Sequence, residues 1–350
     1  MSSITPIDIA GRKVGPGHPC LIIAEVAQAH DGSLGAAHAY IDAAADAKAD
    51  AVKFQTHIAA AESTAREPWR VKFSQQDATR YDYWRRMEFT EEQWAGLQRH
   101  AHERSLLFLS SAFSPEAVDL LSRLGMPAWK VASGEVSNLP LIRKMTAAGG
   151  PLLISSGMSG YVEVAAAVAL AREAGRGVAV FQCTSAYPCP PEKVGIHHLA
   201  ELATRHGCPV GLSDHSGTPY PSLAAATLGA SLLEAHIVFS RDCFGPDVSA
   251  SLTPAEFATM VQGVRYTEAM AAARTSKDDL AVAAADMRGI FGKSIVARRN
   301  LPVGTVLSEA DLALKKPGDG LPPSRLSDVI GRTLRAPLAA DQALLELHLQ

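Results

Sequence analysis

The stretch Leu152–Ala174, LLISSGMSGYVEVAAAVALAREA, decides the fold. A short apolar run ends in Ser155 and Ser156, a Gly-Met-Ser-Gly turn follows, and Val162–Ala174 is a helix-like segment rich in alanine. The same unit recurs along the chain. Its apolar runs are Leu21–Ala27, Ala51–His57, Leu106–Phe113, Trp129–Glu135, Leu152–Met158, Val178–Thr184, Val210–Ser216 and Leu232–Val238. Helical stretches such as Leu34–Lys48, Pro115–Leu124, Leu139–Ala148 and Tyr220–Leu228 fall between them. Continuous rather than alternating hydrophobicity is the mark of parallel strands buried on both faces. Eight strand–helix units predict an α/β chain whose body is a (β/α)₈ TIM barrel of about 250 residues. A doubly wound open sheet is the competing arrangement, but it rarely uses eight units of this regularity.

Residues 1–19 read as a short hairpin ahead of the barrel, which is placed at 1–266. One connection, 58–89, is long, aromatic and basic, with Glu67-Pro68-Trp69-Arg70 and Tyr81-Asp82-Tyr83-Trp84-Arg85-Arg86. Such a loop is either a substrate wall or lid, or a packed insertion or subunit contact. After residue 266 the pattern changes. An Ala-rich helix over 267–285 predicts a helical linker at 267–287. Short strands and turns from Arg288, among them Lys293–Arg299, Glu309–Leu314 and Leu334–Pro337, predict a small β-rich domain at 288–350.

The 350 residues carry 33 Lys+Arg against 36 Asp+Glu, and 47% are apolar, which argues against disorder and fibrous classes. Near-neutral charge gives no electrostatic footprint for nucleic acid and no polybasic membrane patch. No stretch approaches the roughly 18 uncharged apolar residues of a membrane span. The five scattered cysteines fit reduced thiols better than a disulfide framework. A cytoplasmic protein is expected.

A TIM barrel builds its site from the C-terminal tips of its strands. In order, those tips supply Glu25; Lys53 and Gln55; Ser110 and Ser111; Lys130, Ser133 and Glu135; Ser155 and Ser156; Thr184 and Tyr187; Ser213, Asp214 and His215; Glu234 and His236. Burying two lysines and several acids among apolar strands is costly without partners or a ligand. Lys53 and Lys130 with the serines suit a phosphate plus a carboxylate. His215 and His236 end neighbouring strands, and two neutral imidazoles with open positions suit a divalent transition metal; two unrelated histidines are the alternative. Glu25 and Glu135 are candidates for proton transfer or for orienting a hydroxyl. Asp247 could hold a sugar hydroxyl or be a plain turn residue.

The segments LIIAEVAQAHDGSL, AVKFQTH, FLSSAFSPEAVDLL, PAWKVASGEVSNLPLI, LLISSGMS, QCTSAYPCPPEKV, VGLSDHS and GASLLEAHIVFSRDCFGPDVSASL together resemble the sialic acid synthase family. Its members are phosphoenolpyruvate-dependent nonulosonic acid synthases of the N-acetylneuraminate, legionaminate, pseudaminate and spore-coat polysaccharide types. The resemblance covers residues 20–265 and continues through GKSIVARRNLPVGTVLSEADLALKKPGDGL, which looks like that family's antifreeze-like (SAF) domain, a β-clip. It implies condensation of phosphoenolpyruvate with an N-acetylated hexosamine, giving a nine-carbon 2-keto-3-deoxy acid and phosphate. It implies phosphoenolpyruvate contacts at Lys53, Ser111, Lys130, Ser133, Ser155 and Ser213. It implies catalytic roles for Glu25, Glu135, His215 and His236, the two histidines holding a divalent metal, Mn²⁺ first and Mg²⁺ or Co²⁺ as alternatives. Sugar contacts are implied at Glu25, Gln55, Glu135, Tyr187 and Asp247, within a domain-swapped homodimer.

Departures cluster on the sugar side. Lys316 stands where the N-acetylneuraminate enzymes carry an arginine, and a point charge does not replace a planar fork. Val248 replaces a frequent histidine, and Ala27-Gln28-Ala29-His30-Asp31-Gly32 replaces a Gly-x-Asn-His-Asn-Gly loop. The loop with Trp69 and Arg70 also differs. A modified hexose, such as a 2,4-diacetamido-trideoxyhexose, is therefore as compatible as N-acetylmannosamine. Competing activities are a Schiff-base pyruvate aldolase using Lys53 or Lys130, and a shorter 2-keto-3-deoxy sugar acid synthase. A carbohydrate- or ice-binding protein leaves the two lysines and two histidines without a purpose.

Overall fold

The computed structural model describes residues 4–350, which divide into two compact units, one ending at Ala272 and one beginning at Ala273. The first contains eight parallel strands: β1 (Leu21–Ala27), β2 (Ala51–Thr56), β3 (Leu107–Ala112), β4 (Trp129–Val131), β5 (Leu152–Ser155), β6 (Val178–Cys183), β7 (Val210–Asp214) and β8 (Leu232–His236). They close into a barrel in chain order, β8 pairing with β1. The TIM-barrel expectation holds.

Successive side chains on a strand point to opposite faces. Leu21 and Ile23 face the barrel interior, in a cluster with Ala51, Leu109, Leu153, Phe181 and Leu232. Ile22 and Ala24 belong to the outer layer against the helices, with Val52, Phe54, Phe108 and Leu233. Both faces are apolar, and that produced the unbroken hydrophobic runs. The N-terminal hairpin (Ile7–Ile9 with Arg12–Val14) adds Ile7, Ile9 and Val14 to the interior cluster.

The barrel helices start where short polar side chains cap them. Ser33, Ser114 and Asn138 accept from the backbone N–H groups of Ala36, Ala117 and Leu141, at the heads of Leu34–Asp46, Pro115–Arg123 and Leu139–Ala148. Gly211 on β7 has a steric reason to be glycine: a Cβ there would lie 2.4 Å from the Leu232 carbonyl oxygen of β8.

The apolar runs overshoot the strands at their ends. The largest case is Trp129–Glu135. Strand β4 stops at Val131, and Ser133–Glu135 forms a 3₁₀ turn closed by the Glu135 N–H to the Ala132 carbonyl at 2.9 Å. The helix expected over 267–285 is also not continuous. One helix runs Pro254–Ala272, and two short ones follow at Lys277–Ala283 and Ala285–Phe291. The restart has a local cause, since Ser276 accepts from the Asp279 N–H at 3.0 Å, and a capped start is a boundary.

The second unit pairs Ser294–Ala297 antiparallel with Leu312–Lys315. The strand expected from Glu309 begins only at Leu312, because Ser308 and Asp311 close a capping box over a 3₁₀ turn. Ile295, Leu301, Leu307, Leu312, Val329, Leu334, Leu338 and Leu344 form this unit's own core. Among the described residues no helix is long and apolar enough to cross a membrane. All five cysteines are free thiols.

Candidate active site

The strand tips of the barrel surround a cavity of about 520 Å³. At its floor four charged side chains form one buried network. The Lys53 ammonium lies 2.6 Å from Glu25 Oε2 and 3.6 Å from Glu234 Oε2, and the Lys130 ammonium lies 2.8 Å from Glu234 Oε1. Ser213 donates to Glu234 Oε1 at 3.0 Å, and Lys53 reaches Ser111 Oγ at 3.4 Å. All four charged groups are at most 4% exposed. Two cations and two anions in one buried cluster satisfy each other; removing one leaves the rest uncompensated.

The environment separates the two glutamates. Burial pushes Glu25 above the ordinary carboxyl range; Lys53 opposes this and Glu234 adds to it. Burial also disfavours the charge on Glu234, but Lys130 and Lys53 outweigh it and hold that carboxyl low. Burial alone would lower Lys53, yet Glu234 and Glu25 keep its ammonium above the ordinary value. Two carboxyls pushed apart in this way divide proton donor from permanent anion.

The bulge between β1 and β2 at Glu25–Ala27 turns the chain at this tip, and Ala27 takes a φ of +48°. Gln55 of β2 donates to Glu25 Oε1 at 3.0 Å. Ser133 and Glu135 reach the cavity from the 3₁₀ turn after β4, Glu135 accepting from Asn138 at 2.8 Å and raised by burial. Ser155 Oγ lines the same cavity, buried and without a hydrogen-bond partner in the protein.

His215 and His236 follow β7 and end β8, with ring centroids 5.3 Å apart. His215 Nδ1 lies 2.9 Å from the Thr184 carbonyl oxygen, so it carries the proton and leaves Nε2 with a free lone pair. Burial pushes His236 down to about 4, a neutral imidazole near neutral pH. This donor set fits a divalent ion held by two imidazole nitrogens. Among the described residues no three His, Cys, Asp or Glu side chains are grouped as a complete metal cage. The remaining positions would be open, as in a catalytic rather than a structural site.

Tyr187 packs on His215, ring centroids 4.1 Å apart, and the Arg70 guanidinium sits 4.2 Å from the Tyr187 ring centroid. Arg70 also donates to the Pro246 carbonyl at 2.6 Å and Asp247 Oδ1 at 2.8 Å. The insertion at 58–89 thus supplies part of the cavity wall and ties itself to the segment after β8. Lys316 belongs to the second unit, its ammonium 5.2 Å from the Phe291 ring centroid.

Several lining residues were not singled out from the sequence: Gln28, His57, Glu62, Trp84, Cys183 and Arg80. Glu234 is legible in the sequence only as a polar strand tip, one of several acids near the two lysines. Cys183, at the end of β6, places Sγ 3.5 Å from Ser133 Oγ and 3.9 Å from His215 Nδ1.

Residues 40–276 match the NeuB family and residues 292–350 match the SAF domain. The chain is 34% identical to human N-acetylneuraminate-9-phosphate synthase, over 96% of this chain and 94% of that protein. It is 31% identical to N,N'-diacetyllegionaminic acid synthase of Legionella pneumophila, over 96% of each. The crystal structure of spore coat polysaccharide biosynthesis protein spsE from Bacillus subtilis superposes with a TM-score of 0.67 at 29% identity, covering 99% of each chain. A strand-tip site on a closed barrel and matches over nearly the whole length lead to one assignment: the chain belongs to the NeuB family and ends in a SAF domain.

Proposed function

We propose that this chain is a nonulosonic acid synthase. It joins phosphoenolpyruvate to an N-acetylated hexosamine, giving a nine-carbon 2-keto-3-deoxy acid and phosphate. The observation that carries this reading is the buried Lys53–Glu25–Glu234–Lys130 network, ringed by Ser111, Ser133, Ser155 and Ser213 beneath two convergent imidazoles. Two ammonium groups and four hydroxyls match a reactant with both a phosphate and a carboxylate.

In the proposed reaction, C3 of phosphoenolpyruvate attacks the aldehyde carbon of the open-chain sugar. The aldehyde oxygen gains a proton and becomes a hydroxyl, while positive character develops at C2. Water adds at C2 and loses one proton, giving a carbon that bears both hydroxyl and phosphate; phosphate then departs by C–O cleavage and carries off the hydroxyl proton, leaving the ketone. Lys53 and Lys130 hold the anionic reactant in place, a contribution of orientation and electrostatics. Glu25, held above the ordinary carboxyl range, delivers the proton to the aldehyde oxygen; Glu234 stays anionic between the lysines. Gln55, Glu135, Tyr187 and Asp247 face the sugar. A divalent cation on His215 and His236, Mn²⁺ first, supplies Lewis acidity toward the aldehyde oxygen when bound.

Lys53 is poorly suited to the aldolase alternative, because two carboxylates keep its amine protonated and therefore not nucleophilic. Borohydride with pyruvate should trap no adduct.

The test is phosphate release from phosphoenolpyruvate with Mn²⁺, with and without EDTA. The panel is N-acetylmannosamine, its 6-phosphate, 2,4-diacetamido-2,4,6-trideoxymannose and arabinose 5-phosphate. EDTA-sensitive release with one of the N-acetylated sugars is expected, and the best of them names the substrate. Release with the pentose phosphate alone would move the chain to the shorter keto-acid synthases. The reading extends to a cytoplasmic homodimer, for which light scattering should return twice the 37.0 kDa chain mass.

A further inference from the structure

One buried histidine at the cavity edge has no place in the mechanism above. His57 follows β2 directly and is 5% exposed. Its ring stacks on Trp84 at 4.0 Å and 20°, and on Phe113 at 4.5 Å and 11°. An apolar ring would stack equally well, and burying two ring nitrogens is costly unless both are hydrogen-bonded. Both are engaged: Nδ1 lies 2.5 Å from Glu62 Oε1, and Nε2 lies 2.6 Å from Gln28 Nε2 and 3.3 Å from Gln55 Oε1. Gln28 Nε2 also donates to Gln55 Oε1 at 2.6 Å, and Gln55 Nε2 donates to Glu25 Oε1 at 3.0 Å.

With a neutral His57 beside an ionised Glu62, the donors in this chain run one way. Glu62 accepts, so His57 Nδ1 carries the hydrogen and Nε2 offers a lone pair. Gln28 must therefore present its NH₂ to His57, and its second hydrogen meets the Gln55 oxygen. Gln55 is then obliged to turn its own NH₂ toward Glu25. From the other end, Glu25 Oε1 accepts from Gln55 at 3.0 Å, which fits the same Gln55 orientation.

We infer that His57, oriented by Glu62, is a positioning residue for the sugar side of this site: through Gln28 it fixes the Gln55 amide so that its N–H points at Glu25. The inference rests on the function proposed above. His57 touches no reacting atom in this scheme; its effect passes through two amides.

The experiment uses the full-length chain and two variants, His57→Phe and Glu62→Gln. His57→Phe keeps the aromatic stack and removes both hydrogen bonds. Its melting temperature should stay within a few degrees of wild type, and kcat/KM for the sugar should fall about 30-fold, the scale of leaving buried polar partners unmatched. The KM for phosphoenolpyruvate should move by no more than about twofold, since the lysines and serines are untouched. Long-range ¹H–¹⁵N spectra of ¹⁵N-histidine protein, with His57→Phe identifying the signal, should show only the Nδ1–H tautomer in wild type. Glu62→Gln should admit the Nε2–H tautomer and lower kcat/KM for the sugar about tenfold.

Full sugar kcat/KM in His57→Phe, or an Nε2–H tautomer in wild type, would overturn the inference. If His57→Phe does not fold, the tautomer and kinetics of Glu62→Gln decide. Wild-type protein inactive on every sugar would sink the proposed function, yet the tautomer would still be read. An active wild type with the wrong tautomer would sink this inference alone.

Discussion

Lys53→Met is expected to suppress phosphate release from phosphoenolpyruvate by about 10³-fold and to destabilise the barrel by about 3–5 kcal/mol at pH 8. Methionine keeps the unbranched stem and fills much of the space, so the loss is electrostatic. The Lys53 ammonium contacts both Glu25 and Glu234, at 2.6 and 3.6 Å. Without it, two buried carboxylates are left with one remaining ammonium on Lys130.

The stability loss should depend on pH, with a definite sign. Glu25 already sits above the ordinary carboxyl range through burial, and Lys53 is the main group holding it down. In the variant its folded-state value rises further. A carboxyl raised on folding binds a proton that the unfolded chain has released. Its stabilising contribution is full below the ordinary carboxyl value and disappears as pH climbs through the raised one. The melting-temperature deficit of Lys53→Met should therefore be small at pH 5 and large at pH 8. Equal deficits at the two pH values would mean that Glu25 does not take up the charge imbalance.

His215→Ala and His236→Ala are each expected to remove metal-dependent phosphate release almost entirely, by about 10³-fold at saturating Mn²⁺. The two imidazoles face each other across the strand tips, 5.3 Å between centroids. One alone leaves a cation with half of that imidazole pair. Both rings border the cavity rather than the apolar core, so melting temperatures without metal should shift by only a few degrees. The stabilisation that Mn²⁺ gives wild type should be absent from both variants. A His215→Ala protein with full Mn²⁺-dependent turnover would refute the metal assignment.

The barrel was legible because β-strands buried on both faces leave an unmistakable pattern. Leu21–Ala27 reads as one apolar run since Ile23 faces the interior and Ile22 the helices. Strand ends were less legible. Hydrophobicity does not say where pairing stops, and Trp129–Glu135 ran past Val131 into a turn whose purpose is to bring Ser133 and Glu135 round to the cavity. The Ala-rich stretch after Thr267 hid its break at Ser276, where a single cap outweighs helix propensity. In the cavity, residues at strand tips could be found by position alone. His57, Trp84 and Phe113 could not, because their stack joins a strand tip, an insertion and the next βα loop. Arg70 has the same difficulty, since its partners Pro246 and Asp247 lie beyond the eighth strand.

The four-charge floor of the cavity also makes ligand binding a proton-uptake event. Two lysines and two glutamates already neutralise one another there. An incoming anion must draw Lys53 and Lys130 toward itself, and the glutamates then lose part of the attraction that keeps them ionised. Glu25, the one already raised by burial, is the group that takes the proton. Calorimetric heats of phosphoenolpyruvate binding should accordingly differ between buffers of low and high ionisation enthalpy. Affinity should weaken toward alkaline pH, although the ligand itself stays fully charged.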